Sequence, residues 1–163
     1  MSQRDKIFEM LRGFDTVMLV TAAADGRIEG RPMQIVDIDD RTGNIWFFTG
    51  LGSRKVHEIS DNAQVAVVCQ QEHSTYLSLS GIGMIVHEPS RVRQLWREPL
   101  RVWFPDGPEA PDLRLLVVEP RIAEYWDNRG ANRLEYMFEA AKAYVSGTRP
   151  EVGESDQHGR VPL

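Results

Sequence analysis

The sequence predicts a mainly β fold: a small antiparallel barrel of about six strands decorated by helices. Short alternating or β-branched runs recur between turn signals, whereas helical spacing is confined to the two ends and two short internal stretches. The length of 163 residues, with 42% hydrophobic and 26% charged side chains, suits one globular domain that buries a core without staples. Residues 1–146 are expected to form that domain, and the polar, Gly/Pro-rich segment 147–163 a flexible C-terminal tail.

The elements follow in order. Ile7, Phe8, Met10, Leu11 and Phe14 recur at helical spacing and predict a short amphipathic helix. The period then changes to two. TVMLVTA and IEGRPMQIVDID are strands joined by an Asp25-Gly26 hairpin turn, and NIWFFTG is a strand after the turn DDRTGN. A helix over Ser53–Asp61 precedes the strand AQVAVVCQQ, and EHST turns the chain into YLSLSGIGMIV, whose two glycines predict a bend or bulge. PSRVRQLW is a helix. REPLRVWFPDGPEAPD carries four prolines and is too apolar for an idle linker, so it is a functional or interface loop. LRLLVVEP and RIAEYWD are closing strands, followed by a helix from about Ala131 to Val145.

The chemistry concentrates where GLGSRK opens the internal helix. Arg54 and Lys55 stand in a first turn whose partial positive charge disfavours cations. Ser53 is a good N-cap, but Val56 occupies the place of the capping-box acid, so the helix start is left open. Glycines that let a backbone pass close, open N–H donors and two cations form what a phosphate monoester needs; two side chains turned into water are the plainer alternative. Arg31 lies beside Pro32 and approaches Ser53 and Lys55 if its strand pairs with NIWFFTG.

Other classes are disfavoured. The net charge of −5 argues against nucleic acid, and the longest apolar runs are strand-sized, far short of a membrane span. Cys69 is the single cysteine, and residues 1–10 show no signal-peptide pattern, so a reducing cytoplasm is the expected location. His57, His73, His87 and His158 have no metal-site spacing, and a hairpin turn explains Asp37, Asp39 and Asp40 better than a calcium loop. GxxxxGK[ST], a complete GxGxxG and GxSxG are all absent. No residue stands out as a general acid or base.

The run WFFTGLGSRKVHEISDNAQVAVVC resembles the FMN-phosphate segment of pyridoxamine 5'-phosphate oxidases. GRPMQIVDID and YLSLSGIGMIV resemble the strands flanking it, and WFPDGPEAPDLRLLVVEP with AEYWD resembles the small general-stress-protein branch of that superfamily. The resemblance implies a six-stranded Greek-key split barrel, a homodimer with flavin at the subunit interface, and FMN, or FAD, as cofactor. It implies that Arg31, Ser53, Arg54 and Lys55 serve the phosphate. Pro32, Met33, Gln34, Phe48 and Thr49 would line the ribityl chain and ring edge, and Tyr76 falls where the oxidases place a flavin-contacting glutamine. Trp103 and Phe104, with Trp126, would cover the flavin from the partner chain, whereas Trp46 and Trp96 belong to ordinary packing. Two departures stand out: Val36 replaces the usual phosphate lysine, and Arg133-Leu134-Glu135-Tyr136-Met137 lacks the oxidases' second substrate arginine. A flavin-dependent oxidoreductase of unknown substrate and redox partner, not a pyridoxamine phosphate oxidase, is the resulting expectation. The alternatives are a non-catalytic flavin-binding module and a barrel holding haem, PLP or a deazaflavin.

Overall fold

The computed structural model describes residues 2–71, 75–129, 131–148 and 158–163. Helix α1 (Gln3–Arg12) starts at Ser2, which exchanges hydrogen bonds with Asp5 in a capping box. Strands β1 (Thr16–Ala22) and β2 (Ile28–Gln34) form the hairpin that Asp25-Gly26 predicts, with Gly26 at φ 84°. Strands β3 (Asp37–Ile38) and β4 (Ile45–Gly50) flank a turn in which Asp39 Oδ1 accepts from the Arg41 and Thr42 amides at 2.9 and 2.8 Å. Helix α2 (Arg54–Asp61) leads to β5 (Gln64–Gln71) and β6 (Thr75–Val86); of the turn expected at residues 72–75, Thr75 already belongs to β6, and 72–74, including His73, lie outside the described residues. Helix α3 (Pro89–Leu95), a 3₁₀ turn (Glu98–Val102), β7 (Leu113–Asp127), α4 (Ala131–Ser146) and β8 (His158–Pro162) complete the chain.

The sheet is antiparallel in the order β2-β1-β5-β6-β7-β4-β3, with β8 also on β7. Its edge strands β2 and β3 are consecutive in the chain, separated by Ile35 and Val36 alone. The Ile35 amide donates to Asp15 O beside β1 and the Val36 amide to Trp46 O in β4, each at 2.9 Å. Two neighbouring residues thus bond to opposite ends of the sheet, and the sheet must curl until its edges meet. The result is a Greek-key split barrel flanked by helices.

Several details differ from the sequence expectation. Eight strands, not six, are present among the described residues. IEGRPMQIVDID divides into β2 and β3 where the chain crosses the split, so β2 pairs with β1 and does not pair with β4. The two closing strands are one, β7, and a register shift at Ser80/Gly81 absorbs its curvature. Backbone proximity requires glycine there, because a Cβ on Gly81 would sit 2.1 Å from Glu119 O. Part of the expected flexible tail is also corrected. His158–Pro162 pairs with Ile122–Trp126, continuing along the β7 edge where β4 leaves off, and buries Val161 in the barrel. Residues 149–157 lie outside the described residues.

Alternation along β4 and β7 produces two cores. Ile45, Phe47, Leu116 and Val118 point into the barrel with Ile7, Leu11, Leu19 and Leu79. Phe48, Leu113 and Leu115 point outward and are covered by Val92, Leu95 and Leu100 from α3 and the 3₁₀ turn.

Candidate functional site

The cleft lies where that outer cover stops. It has a volume of about 430 Å³ and runs between the outward face of β2, the end of β4 and the loop after the 3₁₀ turn. Phe48 forms part of its wall, braced edge-on by Phe104 at 6.1 Å and by Trp96 at 5.9 Å. Trp103 stands at the rim with 74% of its surface exposed. That loop is held in shape by Arg101, which bonds Glu98 at 2.9 Å and Pro105 O at 3.2 Å. From β2, Pro32 and Gln34 face outward into the cleft, while Met33 borders it but turns its side chain to the core.

Polar groups gather where β4 runs into α2. Thr49 and Ser53 exchange a hydroxyl hydrogen bond of 3.1 Å, and Ser53 caps α2 without a side-chain bond to the helix amides. The first turn therefore keeps the open character that the missing capping-box acid predicts. Among the described residues lining the cleft, Lys55 is the sole cation. Burial, then repulsion from Arg31, holds its ammonium pKa below the usual lysine value, partly offset by Glu58. An anion beside it would relieve both costs.

Arg31 and Arg54 are differently placed. Arg31 shares the inward face of β2 with Met33 and binds Glu58 of α2 at 2.8 Å and the Thr21 hydroxyl. Glu58 is 7% exposed, and its carboxyl is held below the usual glutamate range first by the Thr21 hydrogen bond and then by Arg31, against the cost of burial. Arg54 lies on the surface, 3.2 Å from Glu29.

The cleft thus unites Pro32, Met33, Gln34, Phe48, Thr49, Lys55, Trp103 and Phe104, so that Trp103 and Phe104, expected to reach the flavin from a partner chain, line the cleft of their own chain. Ser53 adjoins it through Thr49. Arg31 and Arg54 stand behind it in ion pairs, and Arg31 reaches α2 from β2 beneath Glu58, not by pairing with β4. Tyr76 is elsewhere, on the outer sheet face beside Gln70 and Trp126. Val36 also lines the cleft, and its apolar side chain packs with the outer core. Sequence reasoning missed Glu29 and Glu58. A signal existed for Glu29, because Glu29-Gly30-Arg31 places acid and base on one face of a strand.

Residues 2–151 match the model of a family described as pyridoxamine 5'-phosphate oxidase like. No curated protein matches the chain. Among solved structures, a general stress FMN/FAD binding protein from Xanthomonas citri is similar at 28% identity and TM-score 0.67, over 78% of this chain and 89% of that one. General Stress Protein 26 from Bacillus anthracis str. Sterne is similar at 23% identity and TM-score 0.68, over 77% and 94%. A pyridoxamine 5'-phosphate oxidase-related, FMN binding protein from Nostoc punctiforme shares 13% identity and TM-score 0.61 over 100% and 98%, a likeness of fold.

Proposed function

The chain belongs to the pyridoxamine 5'-phosphate oxidase-like family, and from that premise we propose that its cleft binds FMN and that the protein is a flavin-dependent oxidoreductase. The observation that carries this reading is Lys55: a half-buried ammonium in the wall of an aromatic cleft, at a helix start without a side-chain cap. Lys55, Ser53 and Thr49 would hold the phosphate end, and Phe48, Pro32, Gln34 and Trp103 the ribityl chain and ring. The flavin supplies hydride or electron transfer, and the protein supplies position, apolar contact and charge.

The homodimer is part of the proposal. On the outer sheet face Met18, Val68, Tyr76 and Trp126 are exposed, and Met18 is the cross-strand neighbour of Pro32 in the cleft wall. An apolar strip that runs into the cleft suits a second copy closing over the ligand. The substrate differs from that of the oxidases, given the missing second arginine after Arg133-Leu134. No described helix is long and apolar enough to cross a membrane. Burial pushes the single thiol, Cys69, up to about 12, and an inert thiol suits a reducing cytoplasm.

Titration with FMN and riboflavin tests the reading. Replacing Arg54 and Lys55 together by alanine should weaken FMN binding far more than riboflavin binding, since charge-assisted bonds worth about 1.5–3 kcal/mol each are lost. Equal losses would place the phosphate elsewhere. Reduction of the bound flavin by NADH or NADPH and reoxidation by an acceptor then separates an enzyme from a binding module.

A further inference from the structure

We propose that Glu29 sets the grip of the cradle on a phosphate monoester by competing with it for Arg54; this rests on reading the cleft as the FMN site. Two ion pairs flank Lys55, and they differ in kind. Arg31 and Glu58 meet at 2.8 Å with side chains 20% and 9% exposed, and the Thr21 hydroxyl joins them. Withdrawing either partner would strand a charge beneath α2, so this pair is a fixed part of the barrel end. Arg54 and Glu29 meet at 3.2 Å, but only Glu29 is held in place, 18% exposed, while the Arg54 side chain is 81% exposed. Such a pair is weak, and its arginine is free to swing about the first turn of α2.

Glu29 also has other company. Arg31 lies 3.8 Å and Arg27 4.0 Å from its carboxylate, so Arg54 can leave without stranding Glu29. A dianionic ester beside Lys55 would draw Arg54 across, while Glu29, fixed close by, opposes it through repulsion and through its own claim on the arginine. Glu29 is therefore a specificity-tuning residue that acts through Arg54 and discriminates only against ligands that carry the phosphate.

The test is a set of titrations with FMN and with riboflavin on the wild type, Glu29→Gln, Arg54→Ala and the double variant. Glu29→Gln should tighten FMN by about two- to fivefold, the range an exposed ion pair supports, and leave riboflavin unchanged. The gain should shrink once Arg54 is alanine. Unchanged or weakened FMN binding by Glu29→Gln, an equal change for riboflavin, or a gain that persists undiminished without Arg54 would each overturn the competition. A wild type that binds FMN no better than riboflavin would instead remove the phosphate site itself, and the inference with it.

Discussion

The outer face of the sheet is finished in two ways. Over β4 and the first half of β7 it is covered: Phe48, Leu113 and Leu115 are buried under α3 and the 3₁₀ turn. Over β1, β5 and β6 it is bare, and Met18, Val68 and Tyr76 are each more than a third exposed. The inward faces of both halves share one core. The difference accounts for where the cleft lies. The cleft opens along the seam between covered and bare, with Phe48 on one side and Pro32 on the other.

The largest expected contrast tests that division directly. Leu115→Ala removes a side chain that is fully buried in the outer core and should cost about 2–5 kcal/mol in urea unfolding. Val68→Asp on the bare half should cost less than about 1 kcal/mol in dilute protein, yet shift sedimentation from dimer to monomer. A large loss of monomer stability from Val68→Asp would mean that the bare half is covered within one chain.

The two halves should also respond differently to pH. The cluster around Leu115 is built of apolar side chains, with the Asp37–Arg91 ion pair at its edge, whereas the barrel end beneath α2 is closed by Glu58, Arg31 and Thr21. The native pKa of Glu58 lies below its ordinary value. Its stabilisation is therefore complete above the ordinary glutamate pKa and is lost as pH falls through the lower native one. Glu58→Gln should flatten this acid limb of the stability curve, while Leu115→Ala should lower the curve without changing its slope. An unchanged acid limb in Glu58→Gln would assign the pH dependence to other carboxylates, such as Asp127, whose pKa is lowered by Arg129.

Much of this arrangement was legible because its causes are local. Asp25-Gly26 dictates a hairpin within four residues, and Ser53-Arg54-Lys55 with Val56 announces an uncapped helix start wherever the helix lies. The closure at Ile35 and Val36 was not legible, since it depends on which distant carbonyls, Asp15 and Trp46, receive two ordinary amides. Strand β8 was hidden for a related reason: His158–Pro162 is short and polar, and only the free edge of β7 makes it a strand. Likewise, Arg31 was recognisable as a candidate cation, but its partner Glu58 stands 27 residues away on another element.

The smallest expected effects come from the seam itself, where Phe104 and Trp103 are chain neighbours with opposite surroundings. Phe104 packs edge-on against Phe48 and belongs to the outer core, so Phe104→Ala should lower stability and binding together. Trp103 is mostly exposed, and Trp103→Ala should leave unfolding within about 0.5 kcal/mol of the wild type. A ring that covers a flat ligand is worth about 0.5–1.5 kcal/mol beyond its contact area, so FMN and riboflavin should both weaken, and by the same factor. That equality separates Trp103 from Lys55, whose loss should discriminate between the two ligands. If Trp103→Ala lowered stability and left both affinities intact, the rim would be a brace for the covered half, and the seam would lose its aromatic side as a binding surface.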